Sequence, residues 1–88
     1  MVTKVVKIVN PTGLQMQAAG VFCQIANSFS SVITFNYKKN NTANAKSVLS
    51  VLGASVKMGE KIELRCEGED EEEALNRLTE LVENGFQN

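Results

Sequence analysis

Residues 60–67 alternate without a break: Ile62, Leu64 and Cys66 fall on one face of an extended chain, and Lys61, Glu63 and Arg65 on the other. Successive side chains of a strand point to opposite faces, so this segment buries one side and keeps the other in water. The fold must then supply a sheet with one covered face and an apolar element to cover it. Across residues 16–29 the period changes. Ala18, Phe22, Ile25 and Phe29 recur at three- and four-residue steps with Ala19 and Ala26 beside them, while Gln17, Gln24 and Asn27 take the far side. That spacing predicts a helix with one apolar stripe. Ala74, Leu75, Leu78, Leu81 and Val82 make a second stripe and predict a helix over 71–84. Asp70 and Glu73 fit the N-cap and N3 positions of a capping-box-like start, and Gly85 suits the stop.

The remaining segments fill the frame. Residues 2–9 read as a strand buried mainly on one side, with Val2, Val6 and Ile8 together and Thr3, Val5, Lys7 and Val9 opposite. Asn10-Pro11-Thr12-Gly13 is a loop by its turn residues. Residues 32–37 are β-rich, with Ile33, Phe35 and Tyr37 on one face. A turn at Lys39-Asn40-Asn41 leads to a return strand over 42–45. Ser47 opens a short helix to about Ala54, since its side-chain oxygen can accept from the free amides of the first turn. Lys57-Met58-Gly59 turns the chain. The order is β-α-β-β-α-β-α: an α+β open-faced sandwich, four mainly antiparallel strands with helices on one face. Its 88 residues make one domain over 1–88, burying on folding roughly 63% of the surface of the open chain.

Composition narrows the function. A net charge of −1 argues against nucleic-acid binding through a basic surface. No apolar run of about 18 residues suggests a membrane span, and no signal-peptide pattern precedes the first strand, which points to the cytoplasm. Cys23 and Cys66 are too few for a disulfide framework or zinc site and read as small core hydrophobes. The acidic run 69–73 complements a helix N-terminus, and we expect no metal and no cofactor. The chain contains no histidine. It therefore has no imidazole general base, no His metal ligand and no phosphohistidine. Composition points away from an enzyme. An acylphosphatase, which these small sandwiches also include, needs an Arg after the first strand; residues 10–17 hold none.

Three segments carry a resemblance. Pro11-Thr12-Gly13-Leu14-Gln15-Met16-Gln17-Ala18-Ala19 resembles the active-site segment of HPr, the phosphocarrier of the bacterial sugar phosphotransferase system, roughly T-G-[LI]-H-x-R-P-A. Asn44-Ala45-Lys46-Ser47-Val48-Leu49-Ser50-Val51-Leu52 resembles the family's regulatory serine site, roughly N-x-K-S-[IL]-M-x-[VL]-M. Glu67-Gly68-Glu69-Asp70-Glu71, followed by Ala74-Leu75, resembles the last strand-to-helix joint. The resemblance spans about residues 2–83 and implies the HPr-like open-faced sandwich.

The departures matter as much as the match. By this resemblance the phosphate-accepting His falls on Gln15, the neighbouring Arg on Gln17 and the Pro on Ala18. A carboxamide nitrogen has its lone pair delocalised into the carbonyl and does not take a phosphoryl group. Gln17 lacks the fixed cation that would hold a phosphate bidentately. The pattern is similar to the Crh branch of the family, catabolite-repression HPr-like proteins, in which the carrier role is gone and the serine switch remains. That implies phosphorylation of Ser47 by HPr kinase/phosphorylase and a phosphoprotein that is corepressor of the catabolite control repressor. The alternative is an interaction module that binds a repressor or metabolic enzyme without being switched.

A phosphate on Ser47 would sit at a helix start, where free amides and the dipole favour an anion, and Lys46 is adjacent. Alternatively Ser47 is a plain N-cap. Val51 and Ala54 are expected inside, and Val48, Leu49 and Leu52 at least partly outside as a docking surface. Gln15 and Gln17 either still touch a partner or are drifted remnants, and replacement of the Arg by Gln17 puts repressor binding in question. The loop after the first strand permits a monomer or a strand-swapped homodimer.

Overall fold

The structure is a computed structural model and describes residues 1–87. The element order is β1 (Val2–Lys7), α1 (Met16–Asn27), β2 (Val32–Tyr37), β3 (Asn41–Asn44), α2 (Val48–Ala54), β4 (Lys61–Glu67) and α3 (Glu71–Glu83). The strands form one sheet in the order β1-β4-β2-β3, and every neighbouring pair is antiparallel.

Register decides which side chains are covered. Val6 stands opposite Ile62, Ile33 opposite Cys66 and Phe35 opposite Leu64, so each apolar residue of one strand meets an apolar residue of the next. All six are buried. Their sequence neighbours Val5, Glu63 and Asn36 share the open face. α3 lies against β1 and β4, α2 against β3, and α1 against both α2 and α3. Phe22 of α1 reaches the sheet: its ring sits 5.7 Å from Phe35 at 75° and 6.0 Å from Phe86 at 80°. Edge-to-face geometry of this kind adds to the area that the rings bury.

Boundaries move by a residue or two from expectation. β1 ends at Lys7, yet Ile8 N still donates to Glu60 O at 2.9 Å and Gly59 N to Ile8 O at 2.7 Å. Asn41 joins the return strand opposite Tyr37, while Ala45 lies just past it and donates to Ile33 O at 3.0 Å. α1 stops at Asn27, where Ser28 Oγ donates back to Ile25 O at 2.6 Å. Helix α3 ends as expected. Gly85 has φ +67, and Phe86 N donates to Leu81 O at 2.8 Å, the six-to-one bond of a Schellman stop.

The start of α3 corrects the sequence reading. Asp70 occupies the N-cap but makes no side-chain cap bond. Its carboxylate instead accepts from Ser30 N at 2.9 Å and Ser31 N at 3.0 Å, and from the Ser31 hydroxyl. The local box loses to a tie across about 40 residues of chain. The Ser31 hydroxyl is the first cause holding the Asp70 carboxyl at about 2 and the Ser30 amide the second, against an ordinary 3.8. The nearby Gly68 amide is taken by Glu71 Oε1 at 3.1 Å.

Candidate functional site

Ser47 closes a web of short bonds. Asn44 Oδ1 accepts from Lys46 N at 2.9 Å, and Ser47 N donates to Asn44 O at 3.1 Å. These bonds turn the chain out of β3. Ser47 itself is extended, with φ −111 and ψ 116, and its Oγ accepts from Ser50 N at 3.2 Å. That is the N-cap geometry expected from sequence. Ser50 closes the loop, since its Oγ accepts from Asn44 N at 2.8 Å.

The residue before the cap is fastened to α1. Lys46 Nζ donates to Phe29 O at 2.7 Å. Asn27 Nδ2 donates to Lys46 O at 3.0 Å and to Cys23 O at 2.9 Å. Sequence gave no sign of Asn27 in this role, because its partner is 19 residues away. Ser47 therefore sits on a frame fixed from both sides. It is half-buried, and its hydroxyl proton meets no acceptor among the described residues.

Helix α2 divides its apolar residues cleanly. Val51 and Ala54 are buried, while Leu49 is 83% exposed, Val48 45% and Leu52 38%. The helix thus presents three aliphatic side chains to solvent beside the Ser47 hydroxyl. Exposed large apolar residues grouped in this way make a candidate interaction surface.

The second candidate group lies at the other end of the helix pair. Gln15 is the N-cap of α1, extended at φ −137 and ψ 170, with no side-chain cap bond. Gln15 and Gln17 are exposed and Ala18 is buried beneath them. The loop before them docks on the chain that follows α2: Leu14 N donates to Val56 O at 2.9 Å. Gly13 makes that approach possible. Its φ is +66, and a Cβ there would run into the Val56 carbonyl oxygen and come within 2.9 Å of Lys57 Cα. Asn27 at one end of α1 thus meets the start of α2, and Leu14 at the other end meets the residues just past it. Ser47 and the Gln15–Gln17–Ala18 group stand at opposite ends of α1, a span of about 18 Å at ~1.5 Å per residue. The structure does not bring them into contact; the α1–α2 surface connects them. Met16, left unremarked by sequence reasoning, is 78% exposed on that surface and holds φ +54. Its polar neighbours gave no signal for it.

No chemistry is added by the thiols. Burial pushes the Cys66 thiol up to about 11, with Asp70 and Glu71 adding to the effect, and burial raises Cys23 as well. Both stay protonated and packed. Among the described residues no group of three or more acids, cysteines or histidines could hold a metal, and no helix is long and apolar enough to cross a membrane.

Residues 2–84 match the family profile described as "PTS HPr component phosphorylation site". The chain belongs to the HPr family. "HPr-like protein Crh" of Bacillus subtilis is 39% identical over 83 residues, which cover 94% of this chain and 96% of that protein. The crystal structure of HPr-C-His from Thermoanaerobacter tengcongensis superposes with a TM-score of 0.94 at 40% identity, covering 98% of this chain and 96% of the other. A crystal structure of B. subtilis Crh, described as revealing an unexpected swapping domain, gives a TM-score of 0.76 at 35% identity over the whole of both chains. This HPr-family chain thus has curated relatives of the Crh type and the HPr fold, an open four-stranded antiparallel sheet with three helices.

Proposed function

We propose that this HPr-family protein is a non-catalytic regulator of carbon catabolite repression, switched at Ser47. HPr kinase/phosphorylase transfers the γ-phosphoryl of ATP to Ser47 Oγ; ADP leaves and the hydroxyl proton is released. The phosphoprotein then acts as corepressor of the catabolite control repressor. One observation carries the reading: the Ser47 hydroxyl caps α2 at the surface, beside exposed Val48, Leu49 and Leu52, in a chain with no histidine to phosphorylate. Gln15, by resemblance the successor of the carrier's His, leaves no phosphocarrier role.

The phosphate would add a charge of about −1.5 to −2, taking the chain from −1 to roughly −3. Lys46 Nζ is already held by Phe29 O, so the new charge faces outward for an arginine-bearing partner. The aliphatic strip of α2 gives that partner area, and Gln15 and Gln17 extend the surface past the far end of α1. The reading takes residues 1–88 as one HPr-like domain working in the cytoplasm, without direct contact with nucleic acid or membrane.

Incubation with HPr kinase/phosphorylase and ATP, followed by intact-mass measurement, tests the switch. One phosphate is expected on the natural chain and none on Ser47→Ala. No added phosphate, or phosphate surviving in Ser47→Ala, overturns it.

A second reading is an HPr-like interaction module that needs no phosphate. It is favoured by the hydroxyl already serving as a plain N-cap to Ser50 N. Identical partners pulled down by Ser47→Ala and Ser47→Asp would support it. The swapped Crh relative also supports exchange of β1 between two copies as an alternative to the monomer.

A further inference from the structure

The sheet face turned away from the helices carries a basic pole at one end. Register sets Lys7 directly opposite Lys61, and both lie on that open face. Like charges so placed repel, where one carboxylate would instead make a stabilising pair. Lys38 and Lys39 extend the pole from the β2–β3 turn. Both hold positive φ, 45° and 75°. Lys38 Nζ is moored to Ala54 O at 3.2 Å and Ser55 O at 3.1 Å. Four of the chain's nine basic residues thus gather at one end of a molecule whose net charge is −1. The acidic run at the start of α3 lies at the other end, beyond Glu67 of β4.

Three of these lysines border a shallow depression. It has a volume of about 220 Å³, with Lys38, Lys39 and Lys61 around Val5 and Asn36. The nearby acids already accept hydrogen bonds from other groups. Glu63 also borders the depression, but its Oε1 takes Arg65 Nε at 3.1 Å and Asn36 Nδ2 at 3.4 Å. Glu60, next to Lys61, accepts from Lys57 N at 2.6 Å. Among the described residues no carboxylate pairs with Lys7, Lys38, Lys39 or Lys61.

We propose that this depression binds a small phosphate-bearing anion. Concavity focuses the field of the charged side chains that line it, here led by Lys39 and Lys61, and lysines act on phosphate as point charges without needing a planar fork. The volume suits one or two phosphate groups on a small molecule. A like-charge pair kept without a local remedy is the kind of rule-breaking that functional sites show. Its link to α2 is Lys38, at the C-terminal end of that helix, whereas Ser47 caps the opposite end, so the site stands apart from the reading of Ser47.

Titration of the full chain with inorganic pyrophosphate at constant ionic strength, followed by amide chemical shifts, tests the site. Saturable shifts are expected, confined to residues 5–7, 36–39 and 61–63. The Lys39→Gln/Lys61→Gln variant should bind at least about tenfold more weakly, a loss of ~1.4 kcal/mol. Lys61→Glu pairs with Lys7 and should keep or raise Tm while losing the shifts, which separates binding from folding. Linear shifts without saturation, or an equal loss in Lys4→Gln, overturn the proposal. Citrate binding as tightly as pyrophosphate overturns the choice of phosphate.

Discussion

At the scale of single residues, two side-chain oxygens set the outcome. Ser47 accepts from an amide three residues on, and that partner is local. A serine before an apolar run is a cap by rules that need no tertiary knowledge, and the structure agrees. Asp70 looked equally local and was not. Its partners Ser30 and Ser31 come from the far side of the chain, and three donors outcompete one box. Replacing Ser47 by Ala should cost about 1 kcal/mol of stability in urea unfolding, while Ser47→Asp, itself a good cap, should lie close to the natural chain. Asp70 yields a pH dependence. Its carboxyl is lowered on folding to about 2 from 3.8. A group shifted that way stabilises the fold above its unfolded value and loses the effect as pH falls through the folded one. The Asp70→Asn variant should therefore melt below the natural chain at pH 7. Thermal scans should show the gap closing as pH falls from about 4 to about 2. A gap unchanged across that window contradicts the clamp.

At the scale of elements, periodicity carried far. The alternation of β4 gave both the strand and its covered face, because a period of two leaves a residue only two places to point. The apolar stripes gave α1 and α3 in the same way. What the pattern could not supply was the fastening between elements. Lys46 and Asn27 read as ordinary polar surface until α1 and α2 are placed side by side; then they hold the frame on which Ser47 stands. Lys46→Met removes the bond to Phe29 O while keeping the aliphatic stem. Amides 44–50 should exchange faster in that variant, and phosphorylation of Ser47 should slow, with the melting temperature changed little. Unaltered exchange across that segment would show that the frame does not depend on Lys46. Phe22 is the other joint. Phe22→Ala empties the space between Phe35 and Phe86 and should cost about 3–5 kcal/mol in urea unfolding.

At the scale of the whole molecule, charge and connectivity were the least legible. Lys7 and Lys61 are 54 positions apart, and only the register of β1 on β4 makes them neighbours. The sequence showed a net charge near zero and hid the separation of the charges. Exchange of β1 between copies is equally invisible, since a swapped pair rebuilds the same Val5–Glu63 register with another chain. Cysteines placed at those two positions distinguish the states. The native thiols are buried and held protonated, so the new pair should react first. Oxidised Val5→Cys/Glu63→Cys should run as a closed monomer on a non-reducing gel if the fold described is the species in solution, and as a covalent dimer if β1 is exchanged.

The account rests most heavily on an anion added at the start of α2. Peptide mass mapping of the protein recovered from sugar-fed cells asks for it directly. The expected result is phosphate on the peptide carrying Ser47, absent or reduced when the sugar is withdrawn. Unmodified Ser47 under both conditions, with the kinase present, would contradict it.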